Sequence, residues 1–222
     1  MALVAGLAFT ANAQKSAVKF GVKAGVNLAE LAVTGTEVDP EYKKGKMSNP
    51  SFYIGGNVEI PVGKTFAIQP GISLIGKGGR FKITGSDEDI VITEDSRVSV
   101  MYLEIPVNAV AKFPVGGGNV FVGAGPYFGY AISGKNKFEG TAVVGGVETT
   151  ESETDDIEFG SSVEDDFKRT DFGVNFMLGY QLKMGLNIHA GYGLGLKNIA
   201  NAPEENSKGT NRGISFGLGF SF

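Results

Sequence analysis

Few residues in this chain are of a type and spacing that could do chemistry. His189 is the only histidine, so it is the only candidate general base that titrates near neutrality. Gly63-Lys64-Thr65 has the ending of a phosphate-binding loop, in which backbone N–H groups and a lysine hold phosphate oxygens. Val58 stands where the first glycine of that loop is needed, and a strand pattern follows Thr65 where a helix is required, so the reading is rejected. Gly123, Gly125 and Gly129 do not make the dinucleotide-binding spacing either. There is no cysteine, which excludes disulfides, thiolate zinc, iron–sulfur clusters and lipid attachment through Cys. With one histidine, a His-rich metal site is excluded too, and no cofactor is expected. A net charge of −4 with pI near 5.2 argues against nucleic acid. What remains is a set of isolated charges inside otherwise apolar or glycine-rich stretches: Glu59, Glu104 and Asp171, with Lys19, Lys23, Lys77 and Lys197. Their chemistry is that of buried ion pairs, and it depends on what encloses them.

The enclosing elements are legible as period-two alternation. Eight segments alternate. Their apolar sides run Phe20–Leu28, Phe52–Ile60, Phe66–Leu74, Leu103–Ala109, Val120–Ile132, Phe172–Leu182, Leu186–Leu196 and Ile214–Phe222. No charged residue falls on the apolar side of any of them. The other side holds Gly, Ser, Asn and a few charges, unlike the Lys-, Glu- and Thr-rich outer face of a soluble sandwich. Gly numbers 34 of 222 residues, about twice the usual share. Small residues let side chains from opposite walls meet in a narrow lumen. No apolar run reaches 18 residues, so a membrane-spanning helix is excluded. Segments of about ten residues do cross a bilayer as tilted strands, and in lipid only a closed barrel satisfies every strand hydrogen bond. The expected fold is all-β: an eight-stranded antiparallel up-and-down transmembrane barrel.

The connections alternate in length. Short turns are expected near Gly63-Lys64, Pro114–Gly118 and Lys183-Met184-Gly185. Long loops are expected at Glu30–Asn49, Gly78–Ser96, Gly134–Lys168 and Ile199–Thr210. This is the pattern of outer-membrane barrels, with periplasmic turns, extracellular loops and periplasmic termini. All but three of the 24 acids fall in the long loops. The run Glu151, Glu153, Asp155, Asp156, Glu158, Glu164, Asp165, Asp166 reads as a solvated loop, or as a site bridged to lipopolysaccharide by divalent cations, though it lacks EF-hand spacing. Arg97 and Arg212 keep outward parity at the loop ends, where they meet lipid phosphates or form a solvated rim. Pro61, Pro70, Pro106 and Pro126 fall inside strands, where each removes a ladder donor. Bulges or frayed pairing are expected there.

The three remaining acids point inward by parity. Strand neighbours and height suggest Glu59 with Lys19 or Lys23, Glu104 with Lys77, and Asp171 with Lys197. His189 also points inward, a few residues above the turn at Gly185, and reads as lumen filler. Residues 1–13 read as the remnant of a secretory signal peptide, with Ala11-Asn12-Ala13 as its cleavage site and the barrel domain spanning 14–222.

Several blocks resemble a known family. Tyr102-Leu103-Glu104-Ile105-Pro106-Val107 resembles the "YLEIP" strand of PorT-like, porin-family outer-membrane β-barrels of Bacteroidota. Gly123-Ala124-Gly125-Pro126-Tyr127 resembles the "GAGPY" strand of that family. Gly21–Asn27 resembles its "GVKAGVN" opening, and Asp171-Phe172-Gly173 with Gly179-Tyr180 its sixth strand. Phe216, Phe220 and Phe222 resemble the C-terminal signal read by the barrel-assembly machinery. The resemblance implies an outer-membrane location but no single activity. The expectation is a non-enzymatic barrel with a filled lumen, in contact with outer-membrane lipids and lipopolysaccharide. Its role is envelope-structural, partner-binding or secretion-associated. The alternatives are a small diffusion pore and, last, a lipid-modifying enzyme.

Overall fold

In a computed structural model, residues 17–34, 45–87, 90–162, 165–201 and 208–222 are described. The expected signal remnant at 1–13, residues 35–44 and 202–207 of the first and last long loops, and Glu164 of the acidic run lie outside them.

Among the described residues, ten strands form one antiparallel sheet: β1 Lys19–Thr34, β2 Lys46–Met47, β3 Asn49–Pro61, β4 Phe66–Asp87, β5 Ile90–Val115, β6 Gly118–Val144, β7 Val147–Asp156, β8 Thr170–Leu182, β9 Leu186–Gly195 and β10 Lys208–Ser221. Eight of them close a ring, β1-β3-β4-β5-β6-β8-β9-β10. The closing ladder runs from Gly21↔Ser221 to Thr34↔Lys208. Beyond it, Phe20 and Phe222 exchange backbone bonds of 3.1 and 2.9 Å. The alternation expected from the sequence is the observed one. Phe20, Phe52, Ile72, Ile105, Phe128, Phe176, Ile188 and Phe216 are exposed on the outer wall, whereas Tyr53, Tyr102, Tyr127 and Val110 are buried inside. The three short turns fall where expected, all at the end that carries both strand termini.

Two of the expected loops are instead mostly strand. β4 and β5 continue as a hairpin to Asp87 and Ile90, and β6 continues to Val144 before β7 returns. The reason is local. β-Branched residues persist through the supposed loops, as in Ile83-Thr84, Ile90-Val91-Ile92-Thr93, Val143-Val144 and Thr149-Thr150, and Thr84↔Thr93 and Thr141↔Thr150 meet as cross-strand pairs. Thr84 and Thr93 hydroxyls lie 3.0 Å apart, and those of Thr141 and Thr150 lie 3.2 Å apart. Arg80 Nε donates to Asp95 at 2.8 and 3.1 Å. The result is a sheet projecting beyond the ring, in the order β2-β4-β5-β6-β7. One of its faces presents Ile90, Ile92, Phe138, Val144 and Val147, all exposed.

The prolines interrupt the ladders without shifting register. Val58 and Glu59 lose their partners opposite Pro70. Gly71 and Ile72 lose theirs opposite Pro106. Val107 and Asn108 lose theirs opposite Pro126. Each proline keeps its pairing on the other side (Pro70↔Val107, Pro106↔Tyr127, Pro126↔Val174). One missing N–H breaks one side only, so the three gaps make a diagonal seam across β3, β4, β5 and β6. The register shift between β5 and β6 lies elsewhere, at Met101/Tyr102. Pro61 ends β3, still opposite Ala67.

Candidate functional site

The lumen holds the chemistry-bearing residues. Lys77 on β4 lies 2.7 Å from Glu104 Oε2 on β5 and 3.2 Å from Asp171 Oδ2 on β8, on the opposite wall. All three side chains are buried, Asp171 completely. Asp171 Oδ2 also accepts from the Tyr127 hydroxyl at 3.1 Å and from Asn211 Nδ2 at 3.0 Å. Asn175 donates to Glu104 Oε1 at 2.8 Å. The Lys77 ammonium sits 3.8 Å above the Tyr127 ring centre and 5.3 Å from that of Tyr102, a favourable cation–π position. One cation therefore bridges two acids across the barrel, fixed by two aromatic rings and two amides. A buried charge without such partners would be costly.

The Glu104–Lys77 contact expected from strand neighbours is present. The expected Asp171–Lys197 pair is not. Lys197 lies past the end of β9 and donates to the Thr170 hydroxyl on the same rim, while Asp171 faces the lumen. Glu59 is also corrected. Lys19 is directly opposite it on β1 but is exposed at the rim. Lys23 lies higher and lines two lumen cavities, of about 80 and 40 Å³. Neither lysine makes an ion pair among the described residues. Glu59 Oε2 instead pairs with Lys112 Nζ at 2.5 Å and accepts from Gln69 at 2.7 Å. Lys112 also donates to Gln181 at 2.9 Å. Strand-neighbour reasoning considers only adjacent strands, whereas Lys112 on β5 reaches Glu59 on β3 past β4 and Gln181 on β8 past β6. Elsewhere in the lumen, glycines leave the room that long side chains use. A Cβ on Gly173 would lie 2.8 Å from the Tyr127 hydroxyl, and one on Gly217 only 2.0 Å from that of Tyr53.

Through that space Tyr53 reaches His189 Nε2 at 2.6 Å, and His189 Nδ1 meets Asn187 Oδ1 at 2.9 Å. With the amide oxygen accepting, Nδ1 donates and Nε2 accepts the tyrosine proton. Both ring nitrogens are occupied by protein.

At the far end of the lumen Val100, Tyr102, Ala131 and Ile157 form a buried apolar cluster, with Phe159 and Phe167 packed on it. Ile157 N–H bonds Gly134 C=O at 3.0 Å. Ile157, Phe159 and Phe167, between β7 and β8, thus pack over the barrel end against Tyr102, whose ring lies beside Lys77. At the turn end Phe222 stacks on Phe20 and Phe220, both at 6.4 Å between centroids. Phe216 is exposed on the same wall.

A closed ring with an apolar exterior and a polar, charge-paired interior is the solution a strand protein reaches in lipid. A family model described as "Outer membrane protein beta-barrel domain" matches residues 12–201. The chain belongs to this outer-membrane β-barrel family. Its exposed wall of Phe, Ile, Leu and Val is accordingly the lipid-facing surface of an outer-membrane protein. Similar solved structures include the attachment invasion locus protein Ail of Yersinia pestis, in complex with the heparin analogue sucrose octasulfate. It is 13% identical with a TM-score of 0.37, over 92% of this chain and 99% of that one. Neisserial surface protein A is 13% identical with a TM-score of 0.38, over 91% and 97%. OprG from Pseudomonas aeruginosa is 10% identical with a TM-score of 0.42, over 93% and 96%. Among curated proteins none matches the chain.

Proposed function

We propose that this outer-membrane barrel neither conducts ions nor catalyses a reaction, and that it holds the projecting sheet outside the cell. Its role is envelope-structural, partner-binding or secretion-associated. The observation that carries the reading is Lys77, held across the lumen between Glu104 and Asp171. Eight strands leave an interior just wide enough for side chains to fill, and here those side chains are locked to one another. The acid-rich extension supports the outward orientation. Such a surface suits water, or lipopolysaccharide bridged by divalent cations. The sequence blocks at Tyr102–Val107 and Gly123–Tyr127 support membership of the PorT-like branch of Bacteroidota. The terminal Phe216, Phe220 and Phe222 suit recognition by the barrel-assembly machinery.

Reconstitution into planar bilayers tests the reading. No steady conductance is expected at neutral pH, and Lys77→Ala should be the variant most prone to transient openings. Steady wild-type conductance would replace this reading with that of a small diffusion pore. A change in lipid composition that depends on the protein would replace it with a lipid-modifying enzyme.

A further inference from the structure

β7 differs from every strand of the ring. Among the described residues it pairs with β6 and with no other strand. Its turn explains which backbone groups are left free. Gly145 and Gly146 have φ of 56° and 82°, the left-handed pair of a type I′ hairpin. The closing pair Val144↔Val147 is then hydrogen-bonded, and bonding direction alternates along the strand. Val147, Thr149, Glu151, Glu153 and Asp155 face β6 with their N–H and C=O groups. Glu148, Thr150, Ser152, Thr154 and Asp156 turn theirs away from the sheet. Among the described residues, no strand pairs with this ten-residue edge.

Open edges invite pairing and are commonly blunted by lysine, proline, a bulge or a covering segment. β7 has no lysine or proline, and its ladder runs without a register shift from Lys135↔Asp156 to Val144↔Val147. Its charges are all of one sign. Glu148, Glu151, Glu153 and Asp155 make no ion pair among the described residues, and Asp156 is only 3.8 Å from an exposed Lys135. A second copy is the wrong occupant, because β7 against β7 would set acids opposite acids. Cations at every second position of an added strand would instead lie opposite Glu151, Glu153 and Asp155, which share one face. That face continues into Val147, Val144, Ile92 and Ile90, exposed and apolar, so an apolar residue suits the end of the strand beside Val147.

We propose that the free edge of β7 accepts an extended cationic segment of another protein as an additional strand. This rests on the reading of the barrel as a partner-binding protein with its extension outside the cell. Backbone hydrogen bonds supply the affinity, and the alternating side chains supply the selection.

The test uses fluorescent ten-residue peptides titrated into the full chain in detergent and onto intact cells. One alternates Lys with Thr and Val. A second carries the same residues with the lysines in one block. A third replaces Lys by Glu. The alternating cationic peptide should bind at least tenfold more tightly than the blocked one, and the Glu peptide should not bind. N-methylation of its β7-facing amides should reduce binding at least tenfold, with the protein untouched. Ser152→Pro should do the same, since it removes an outward N–H and leaves the β6 ladder and every charge in place. Equal binding of the alternating, blocked and N-methylated peptides would overturn the proposal and leave only non-specific charge attraction. So would the absence of binding in detergent. Binding in detergent with none on intact cells would support the edge site and overturn the outward orientation.

Discussion

Lys77 carries one positive charge between two carboxylates, so its removal is worse than the loss of either acid. Lys77→Ala leaves Glu104 and Asp171 buried without the cation they share, at an expected cost of about 3–5 kcal/mol. Glu104→Ala leaves Lys77 with Asp171 and should cost less. The double variant should fall short of the sum by about 0.5–3 kcal/mol. Urea unfolding in detergent, followed by the gel mobility of the folded barrel, measures all three, and strict additivity would mean no coupling. Lys112→Ala should destabilise in the same assay, while Lys19→Ala should change stability by less than about 0.5 kcal/mol. These contrasts mark where the sequence could be read. Period two assigns a residue to a wall, and it put Lys77, Glu104, Asp171, Tyr127 and Asn175 inside. It does not say which residue on the opposite wall lies at the same height, so the reach of Lys77 to Asp171 was hidden. Lys112 and Asn211 were legible in principle. Each keeps the inward parity of its strand, four residues beyond the last inward position assigned at Asn108 and before the first at Ser215.

Among the elements, the β4–β5 hairpin continues its ladder well beyond the ring, to Asp87↔Ile90. Gly78–Ser96 is expected as a long loop, yet Phe81, Ile83, Ile92 and Thr93 continue the strands, and Arg80 closes on Asp95. That guanidinium holds the Asp95 carboxyl below the usual carboxylate range. A lowered folded pKa means that the pair's stabilisation is complete above the unfolded value of about 3.9 and is lost as pH falls through the lower folded value. Amide exchange at residues 78–96 should therefore stay constant, after correction for intrinsic rates, from pH 7 to about 4.5 and lose protection progressively as pH falls below the unfolded value toward the lowered folded one. Asp95→Asn should lower protection at neutral pH and remove that acid dependence. At the other end of the barrel, Phe222 makes its backbone bonds with Phe20 outside the last regular pair. Its deletion should reduce insertion in cells much more than refolding in detergent. Surface labelling against refolding yield measures this, and normal surface levels would count against an assembly signal.

The molecule as a whole has two unlike ends. The turn end carries Gly63-Lys64, Gly116-Gly117 and Met184-Gly185, and the other carries the projecting sheet. Protease added to intact cells should cleave within residues 134–168 and spare 114–118, as read by mass spectrometry of the fragments. The reverse pattern would invert the proposed orientation. The ring is closed by its first and last strands, and that has a kinetic consequence. Every other ladder of the ring joins neighbours in chain order, whereas Gly21↔Ser221 joins residues nearly the whole chain apart. Closing so long a loop carries the largest entropic cost of any pairing here. Until it forms, a sheet that is otherwise complete has two unpaired edges, which lipid does not solvate. An open intermediate is thus disfavoured both by the search for closure and by the solvent in which it would wait. Insertion and closure are therefore expected to occur together, with a single late barrier, and the rate should respond more sharply to changes in β1 and β10 than to equal changes in β5 or β6.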